Sequence, residues 1–308
     1  MIQTEKSILA TDLDGTLIPL QGNHQNRTDL VTLKSKIADS DVTLVYVTGR
    51  HFGSAINAIR EFELPHPNWI LCDVGSSLYQ FVGGAELSES YAAEENYSDH
   101  LESILPSRSL HQIGELLPPQ PGLAKQEAEK QGRHKLSYYA DAEDLSQLRN
   151  TIMELAEKHQ FPVQVITSVD PFNNDGLIDI LPKRVSKAFG LQWWTLRMQI
   201  ESSQVVFAGD SGNDLAALSA GYRAIVVANA SCEVVARVQA ESKDEELIYL
   251  AGGAATSGVL EGGNTGAFFN VVSNAWESGQ PMSRSPLDIS ISDNLNSLWH
   301  SIRQVGDS

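Results

Sequence analysis

The stretch "LATDLDGTLIPL" (residues 9–20) ends an apolar run in two aspartates, Asp12 and Asp14, one residue apart. Gly15 and Thr16 follow directly. "SILAT" (7–11) reads as a short buried strand, so the carboxylates fall just past its carboxyl end. Two carboxylates this close repel, and one is driven to hold its proton unless a cation compensates them. Such hard oxygen donors suit Mg²⁺, which keeps waters and is completed by substrate phosphate. In isolation, Asp-x-Asp-Gly is also an ordinary solvated turn. The rest of the chain decides between the two.

Further apolar runs end at turn or polar residues: "DVTLVYV" (41–47), "NWILCDVG" (68–75), "QVVFAGD" (204–210) and "YRAIVVAN" (222–229). Short runs of this kind fit parallel strands covered on both faces. Helical stripes separate them, as in "HFGSAINAIREF", where Phe52, Ile56, Ile59 and Phe62 recur at three- and four-residue steps. The alternation predicts a doubly wound, mostly parallel α/β sheet. Residues 84–122 are instead polar and carry the breaker "LLPPQPG" (116–122). Beyond it, "HKLSYYAD" (134–141), "PVQVITS" (162–168) and "LIDILP" (177–182) read as strands around an amphipathic helix, 142–160. The expected organisation is a core domain at 1–83 and 183–276, an inserted α+β unit at 84–182, and a tail at 277–308 ending in a short helix.

The chain has 308 residues, enough for one large or two smaller domains. Its formal charge of −17 disfavours a nucleic-acid surface, which needs basic stripes. A local cation or a few basic side chains still admit a small anionic substrate. No run of eighteen apolar residues suggests a membrane span, and the first residues lack a secretory pattern. With Cys72 and Cys232 as the two cysteines, a reducing, cytoplasmic setting is expected.

Three more segments fall at the same predicted sheet edge. "VTGR" puts Thr48, Gly49 and Arg50 after the second strand, where a hydroxyl and backbone N–H groups suit a phosphate as well as a helix cap. "GDSGND" puts Asp210, Ser211, Asn213 and Asp214 after the fourth. Lys187, in "RVSKAFG", opens the intervening helix and could supply positive charge beside the aspartates.

Taken in this order, "DLDGT", "VTGR", the helix-opening lysine and "GDSGND" resemble the haloacid dehalogenase superfamily, in its branch with a large α/β cap. "HKLSYYAD" and "DILPKR" are further similar to the sucrose-phosphate phosphatases, over roughly residues 5–275. Ala188 departs from the glycine that often follows the lysine. The resemblance implies a Mg²⁺-dependent phosphatase whose nucleophile is Asp12 and whose acid and base is Asp14. It implies Mg²⁺ held by Asp12, Asp210 and the Asp14 carbonyl, with Asp214 anchoring metal waters or Lys187. Thr48, Gly49 and Lys187 would grip phosphate, and Ser211 and Asn213 would shape the turn. In the cap, Lys135 is the first candidate for sugar recognition, with His134, Tyr139, Asp179 and Lys183. Arg50 either pairs with a carboxylate near the site or serves the substrate.

The implied partner is a small sugar phosphate, foremost sucrose 6-phosphate, with a sugar-phosphate synthase as a further partner. Mannosylfructose phosphate and glucosylglycerol phosphate are alternative substrates. A phosphomutase or a non-catalytic module attached to a synthase are the remaining readings. The second is disfavoured because Asp12, Asp14, Asp210 and Asp214 all stand.

Overall fold

The computed structural model describes residues 7–169, 174–242 and 244–264. Its strands, in chain order, are β1 (Ser7–Thr11), β2 (Val42–Val47), β3 (Trp69–Cys72), β4 (Ser77–Phe81), β5 (Tyr91–Ala93), β6 (Ala124–Lys125), β7 (Leu136–Ala140), β8 (Val163–Val169), β9 (Gly176–Pro182), β10 (Val205–Gly209), β11 (Arg223–Val226) and β12 (Ile248–Leu250). They form an eight-stranded sheet, ordered β12-β11-β10-β1-β2-β3-β4-β5, and a four-stranded sheet, ordered β6-β7-β9-β8. From β12 to β3 the large sheet is parallel, and β4 and β5 extend it antiparallel. The small sheet is antiparallel throughout.

The apolar runs become central strands because each is covered on both sides. Ile8, Leu9, Ala10, Val45, Val47, Phe207 and Ala208 are all buried. One layer of this core joins Leu9, Leu44, Ile70 and Val206 to Ile56 and Ile59 of the helix Phe52–Glu61 and to Val259. Burying one such side chain contributes about 1.5–3 kcal/mol, so the continuous layer, rather than any single contact, holds the sheet. The small sheet has its own core. Leu136, Tyr138, Ile178 and Ile180 face Leu148 and Ile152 of the helix Leu145–Lys158. Alternation along β7 and β9 therefore sends Ser137, Tyr139 and Asp179 to the opposite face.

The segment 84–182 contributes to both sheets. Tyr91–Ala93 pairs with β4 at the edge of the large sheet, and the small sheet begins at Ala124. The polar stretch before the breaker is helical, at Glu95–Ile104 and Ser107–Leu116. Each helix buries a narrow apolar side: Tyr97 and Leu101 in one, Leu110 and Ile113 in the other. The breaker then ends the second helix as its prolines require. The expected tail at 277–308 lies outside the described residues.

A turn after β3 fixes how the parts meet. Asp73 (φ 54), Val74 (φ 58) and Gly75 (φ 95) are all left-handed. For a β-branched residue this is an outlier that costs about 1–3 kcal/mol and persists only when its surroundings over-determine it. Here Asp73 N–H donates to Arg50 O at 2.9 Å and Val74 N–H to Thr48 O at 3.2 Å. Tyr97 Oη donates to Gly75 O at 2.5 Å. A Cβ on Gly75 would lie 2.2 Å from Ser186 O, so the turn abuts the start of the helix Lys187–Arg197. Gly75→Ala is expected to lower stability by about 3 kcal/mol or more, from strain and overlap together. Urea unfolding checks this, and a loss below about 1 kcal/mol would mean the helix start yields easily.

Candidate active site

The strand order alone brings the predicted segments together. β10, β1 and β2 are neighbours, so their carboxyl ends share one edge, the place where open parallel sheets bind ligands. Asp12 N–H donates to Ala208 O at 3.0 Å, which seats Asp12 beside the end of β10. The chain then makes a wide turn, Leu13–Leu17, closed by Ile18 N–H donating to Leu13 O at 2.8 Å. Gly15 is left-handed there (φ 76), and a Cβ would sit 2.4 Å from Asp210 Oδ2. Only glycine lets this turn lie against the second acidic segment.

At the centre is Lys187, fully buried in the first turn of its helix. Its Nζ is 2.9 Å from Asp12 Oδ1 and 2.7 Å from Asp214 Oδ1. Asp214 is occupied on its other oxygen too: Oδ2 accepts from Ser211 N–H (3.1 Å), Ser211 Oγ (2.9 Å) and Asp210 N–H (3.3 Å). Asp214 thus anchors the lysine and its own loop. Ser211 Oγ also lies 2.8 Å from Asn213 Oδ1, as expected for turn-shaping residues.

Asp210 keeps a more open aspect. Thr16 Oγ1 donates to its Oδ1 at 2.8 Å, and Asn229 Nδ2 is 3.4 Å from Oδ2. Oxygens of Asp12, Asp210 and Asp214 lie within 4.8 Å of one another. One amine therefore serves three carboxylates. Burial pushes the Asp12 carboxyl well above its ordinary value; Lys187 opposes this, and Asp214 and Asp14 add to it. Burial, then Asp214, pushes Asp210 up to about 6. Burial pulls the Lys187 amine down, but Asp12 and Asp214 more than reverse that and its pKa is raised. An undercompensated set of hard oxygens fits a divalent cation.

Asp14 stands apart from this cluster. Its carboxylate is gripped bidentately by Arg50, Nε to Oδ2 at 2.7 Å and Nη2 to Oδ1 at 2.6 Å. Arg50 Nη1 donates to Ser54 Oγ at 3.0 Å, and its backbone N–H to Thr48 Oγ1 at 3.1 Å. Arg50 is therefore a carboxylate partner, one of the two roles expected for it. Thr48 is buried, its N–H donating to Leu71 O at 2.8 Å and its hydroxyl oxygen accepting from the Arg50 N–H. Gly49, half-buried, follows on the same loop.

The candidates on the second unit separate. Lys135 and Asp179 come together: Lys135 Nζ lies 3.8 Å from Asp179 Oδ1 and 2.9 Å from Asp73 Oδ1. His134 is buried next door, its Nε2 3.0 Å from Ser98 Oγ, and lines a cavity of about 370 Å³ with His51, Asp73 and Gln131. Tyr139 instead joins a surface network, donating to Glu127 Oε2 at 2.9 Å and meeting Lys130. Lys183 is exposed and lines a different cavity, with Asn150, Glu154 and Pro162. Neither is placed with Lys135. Three residues at the site had escaped notice. Thr16 stands inside the opening motif, and Asn229 closes the fifth strand's run. Asn229 Nδ2 donates to Gly15 O at 2.8 Å, tying that strand end to the acidic turn. Asp73 lies near the end of the third run, and its pairing with Lys135 has no local sequence signal.

This fold, with its acidic sheet edge and buried lysine, is that of the haloacid dehalogenase-like phosphatases. The chain belongs to the sucrose-6F-phosphate phosphohydrolase family, whose model matches residues 5–265. It is similar to a HAD-like hydrolase of Nitrosococcus oceani, 35% identical over 274 residues that make up 84% of this chain and 71% of that one. It is also similar to the mannosylfructose-phosphate phosphatase of Agrobacterium fabrum, 25% identical over 259 residues, 83% of this chain and 94% of that one. In fold it matches the sucrose-phosphatase of Synechocystis, solved with sucrose and phosphate, at a TM-score of 0.66 and 24% identity, covering 84% of this chain and 97% of that one. The chain is a sugar-phosphate phosphatase. No helix among the described residues is long and apolar enough to cross a membrane.

Lys187→Met leaves Asp12 and Asp214 buried without their cation, and is expected to cost about 3–5 kcal/mol of stability near pH 7.5. The Asp12 carboxyl, already raised in the fold, rises further without the amine. A raised carboxyl destabilises the fold as pH climbs from its unfolded value through its folded one. The deficit should therefore shrink on going to pH 5, because protonation of Asp12 removes the uncompensated charge. Denaturant unfolding at both pH values checks this, and an equal deficit at both would contradict it.

Proposed function

We propose that the chain hydrolyses sucrose 6-phosphate to sucrose and phosphate through an aspartyl-phosphate on Asp12, with Mg²⁺ bound at the acidic cluster. The supporting observation is the Asp12–Lys187–Asp214 arrangement with Asp210 beside it at one sheet edge. Asp12 and Asp210 are the side chains best suited to hold the ion, because Asp214 is already bonded on both oxygens. When bound, Mg²⁺ supplies positive charge against the phosphoryl oxygens.

In the first step an Asp12 carboxylate oxygen attacks phosphorus. The bond from phosphorus to the sugar oxygen breaks, and its electron pair goes to that oxygen. Asp14 gives the oxygen a proton and then removes one from the water that cleaves the aspartyl-phosphate. Splitting one displacement into two is the use of a covalent nucleophile, and the proton relay is worth on the order of 10²–10⁴-fold. In the resting arrangement Arg50 holds the Asp14 carboxylate, so Asp14 leaves that pair and takes up a proton from solvent as substrate enters, and is ionised again once it has given that proton to the leaving oxygen. Lys187 keeps Asp12 oriented and neutralises charge at the phosphate, with Thr48 and Gly49 offering donors beside it.

Residues 84–182 would act as a cap that selects the sugar, with Lys135 and Asp179 meeting its hydroxyls. A hydroxyl read by paired buried groups discriminates strongly, because its absence leaves them unsatisfied. A similar relative acts on mannosylfructose phosphate by its name, so that compound is the second candidate. A sugar-phosphate synthase is the class of enzyme that would supply either substrate.

Phosphate release is measured with sucrose 6-phosphate, mannosylfructose phosphate and glucosylglycerol phosphate, each with Mg²⁺ and with a chelator. The expected result is preference for sucrose 6-phosphate and loss of activity on chelation. Asp12→Asn should fold and release phosphate at under about a thousandth of the parent rate. Retention of a tenth of the activity would rule out a covalent Asp12 step, and isomerised product without free phosphate would make the chain a mutase.

A further inference from the structure

Asp73 plays no part in the chemistry above, yet its setting is unusual. It sits at the end of β3 with φ 54, nearly buried, in the run of left-handed residues 73–75. Ser76 N–H and Oγ both bond to its carbonyl, at 3.1 and 2.9 Å. The backbone is thus pinned to the Thr48–Arg50 loop on one side and to the start of the Lys187 helix on the other. From this fixed point the carboxylate reaches the other sheet's unit. Its Oδ1 lies 2.9 Å from Lys135 Nζ, and both side chains are almost fully buried.

The contact is a buried ion pair, and an ammonium has three donors, so one carboxylate oxygen does not exhaust it. The amine's second neighbour, Asp179 Oδ1, is 3.8 Å away and is itself held by Ser137 Oγ at 2.5 Å. Burial pulls the Lys135 amine down, but Asp179 and Asp73 overcome it, so the amine stays charged. A charged amine flanked by two carboxylates matches a polyol: hydroxyls accept from the amine and donate to the acids.

We propose that Asp73 is the positioning residue for Lys135, a carboxylate carried by the large sheet that fixes the amine where the sugar's hydroxyls meet it. The proposal rests on the sugar-phosphatase reading. It makes specificity depend on a core residue, outside the segment that would otherwise be held responsible.

Asp73→Asn preserves shape and tolerates the left-handed backbone while removing the charge. The KM for sucrose 6-phosphate should rise about tenfold with kcat changed by less than about threefold, the signature of lost binding rather than lost chemistry. The KM for p-nitrophenyl phosphate, which has no hydroxyls to read, should rise much less. Acetylation of Lys135 in the full chain, quantified by mass spectrometry, should become roughly tenfold faster, because an amine released from a buried pair spends more time exposed. Asp73→Gly, which relieves the backbone, should show the same split. Lys135→Met should remove most of the effect of Asp73→Asn, since residues acting through one contact are not additive. Equal KM rises on both substrates would overturn the proposal, as would faster labelling with an unchanged sugar KM. Faster labelling in a chain whose wild type hydrolyses no sugar phosphate would support the placement of Lys135 by Asp73 and overturn the sugar-phosphatase reading alone.

Discussion

A single buried amine holds this site together. Lys187 is fully enclosed in a chain of net charge −17, and both of its close partners are aspartates. Taking an ammonium out of water costs several kcal/mol, and only well-placed opposite charge offsets that. Asp12 from the end of β1 and Asp214 from the loop after β10 provide it. The amine thereby binds its helix to two strand ends. Two acids for one amine leave the set short by one charge, and Asp210 adds another. On the proposed function, that deficit would make the edge receptive to a cation, and a cation in turn to a phosphate dianion.

The sheet order turns this local chemistry into a shared site. β10, β1 and β2 lie side by side and run parallel. Three segments separated by up to 200 residues of chain therefore end at one place without any long loop reaching inward. Gly15 allows the first acidic turn to touch Asp210, and Gly75 allows the turn after β3 to touch the lysine's helix. These two close approaches define how tightly the edge closes. Asn229 and Thr16 complete the enclosure by bonding the acidic turn and Asp210 from either side.

Much of this was legible in the sequence because the relevant signals are local. The five apolar runs became the strands β1, β2, β3, β10 and β11, since a strand buried on both faces must be apolar at every position. β5 and β12 are short, and with β4 they lie at or near the sheet's edges, where exposed residues such as Gln80 and Ala92 dilute the pattern. The helices at 95–116 bury only about two side chains each, too narrow a stripe to stand out from a polar stretch. Site residues carried on motifs were found, with the exception of Thr16. Those defined by long-range pairing were not: Asn229 needs the fold to meet Gly15, and Asp73 needs it to meet Lys135. Tyr139 was grouped with Lys135 by its neighbourhood in sequence. Both belong to the same face of β7 and its approach, but four residues along a strand span about 13 Å, enough to leave the tyrosine at the surface with Glu127 and Lys130.

On the proposed function, the two buried lysines would divide the demands of a phosphate ester between them. Lys187 lies among three carboxylates of the large sheet, where the dominant requirement is to offset charge. Lys135 lies between Asp73 and Asp179, one from each sheet's unit, where a charged amine and two acceptors offer a hydrogen-bonding surface for neutral hydroxyls. The strained turn at 73–75 connects these settings physically, because its backbone touches the Lys187 helix and its first side chain touches Lys135. Asp73 and Val74 hold a backbone conformation costly for non-glycine residues, and five bonds to neighbouring elements or to the turn itself keep them there. Strain retained at such a junction is consistent with a fixed distance between the charge-handling and hydroxyl-reading ends of one substrate. A looser turn would let either lysine drift relative to the other, and a monoester of defined length could no longer engage both at once.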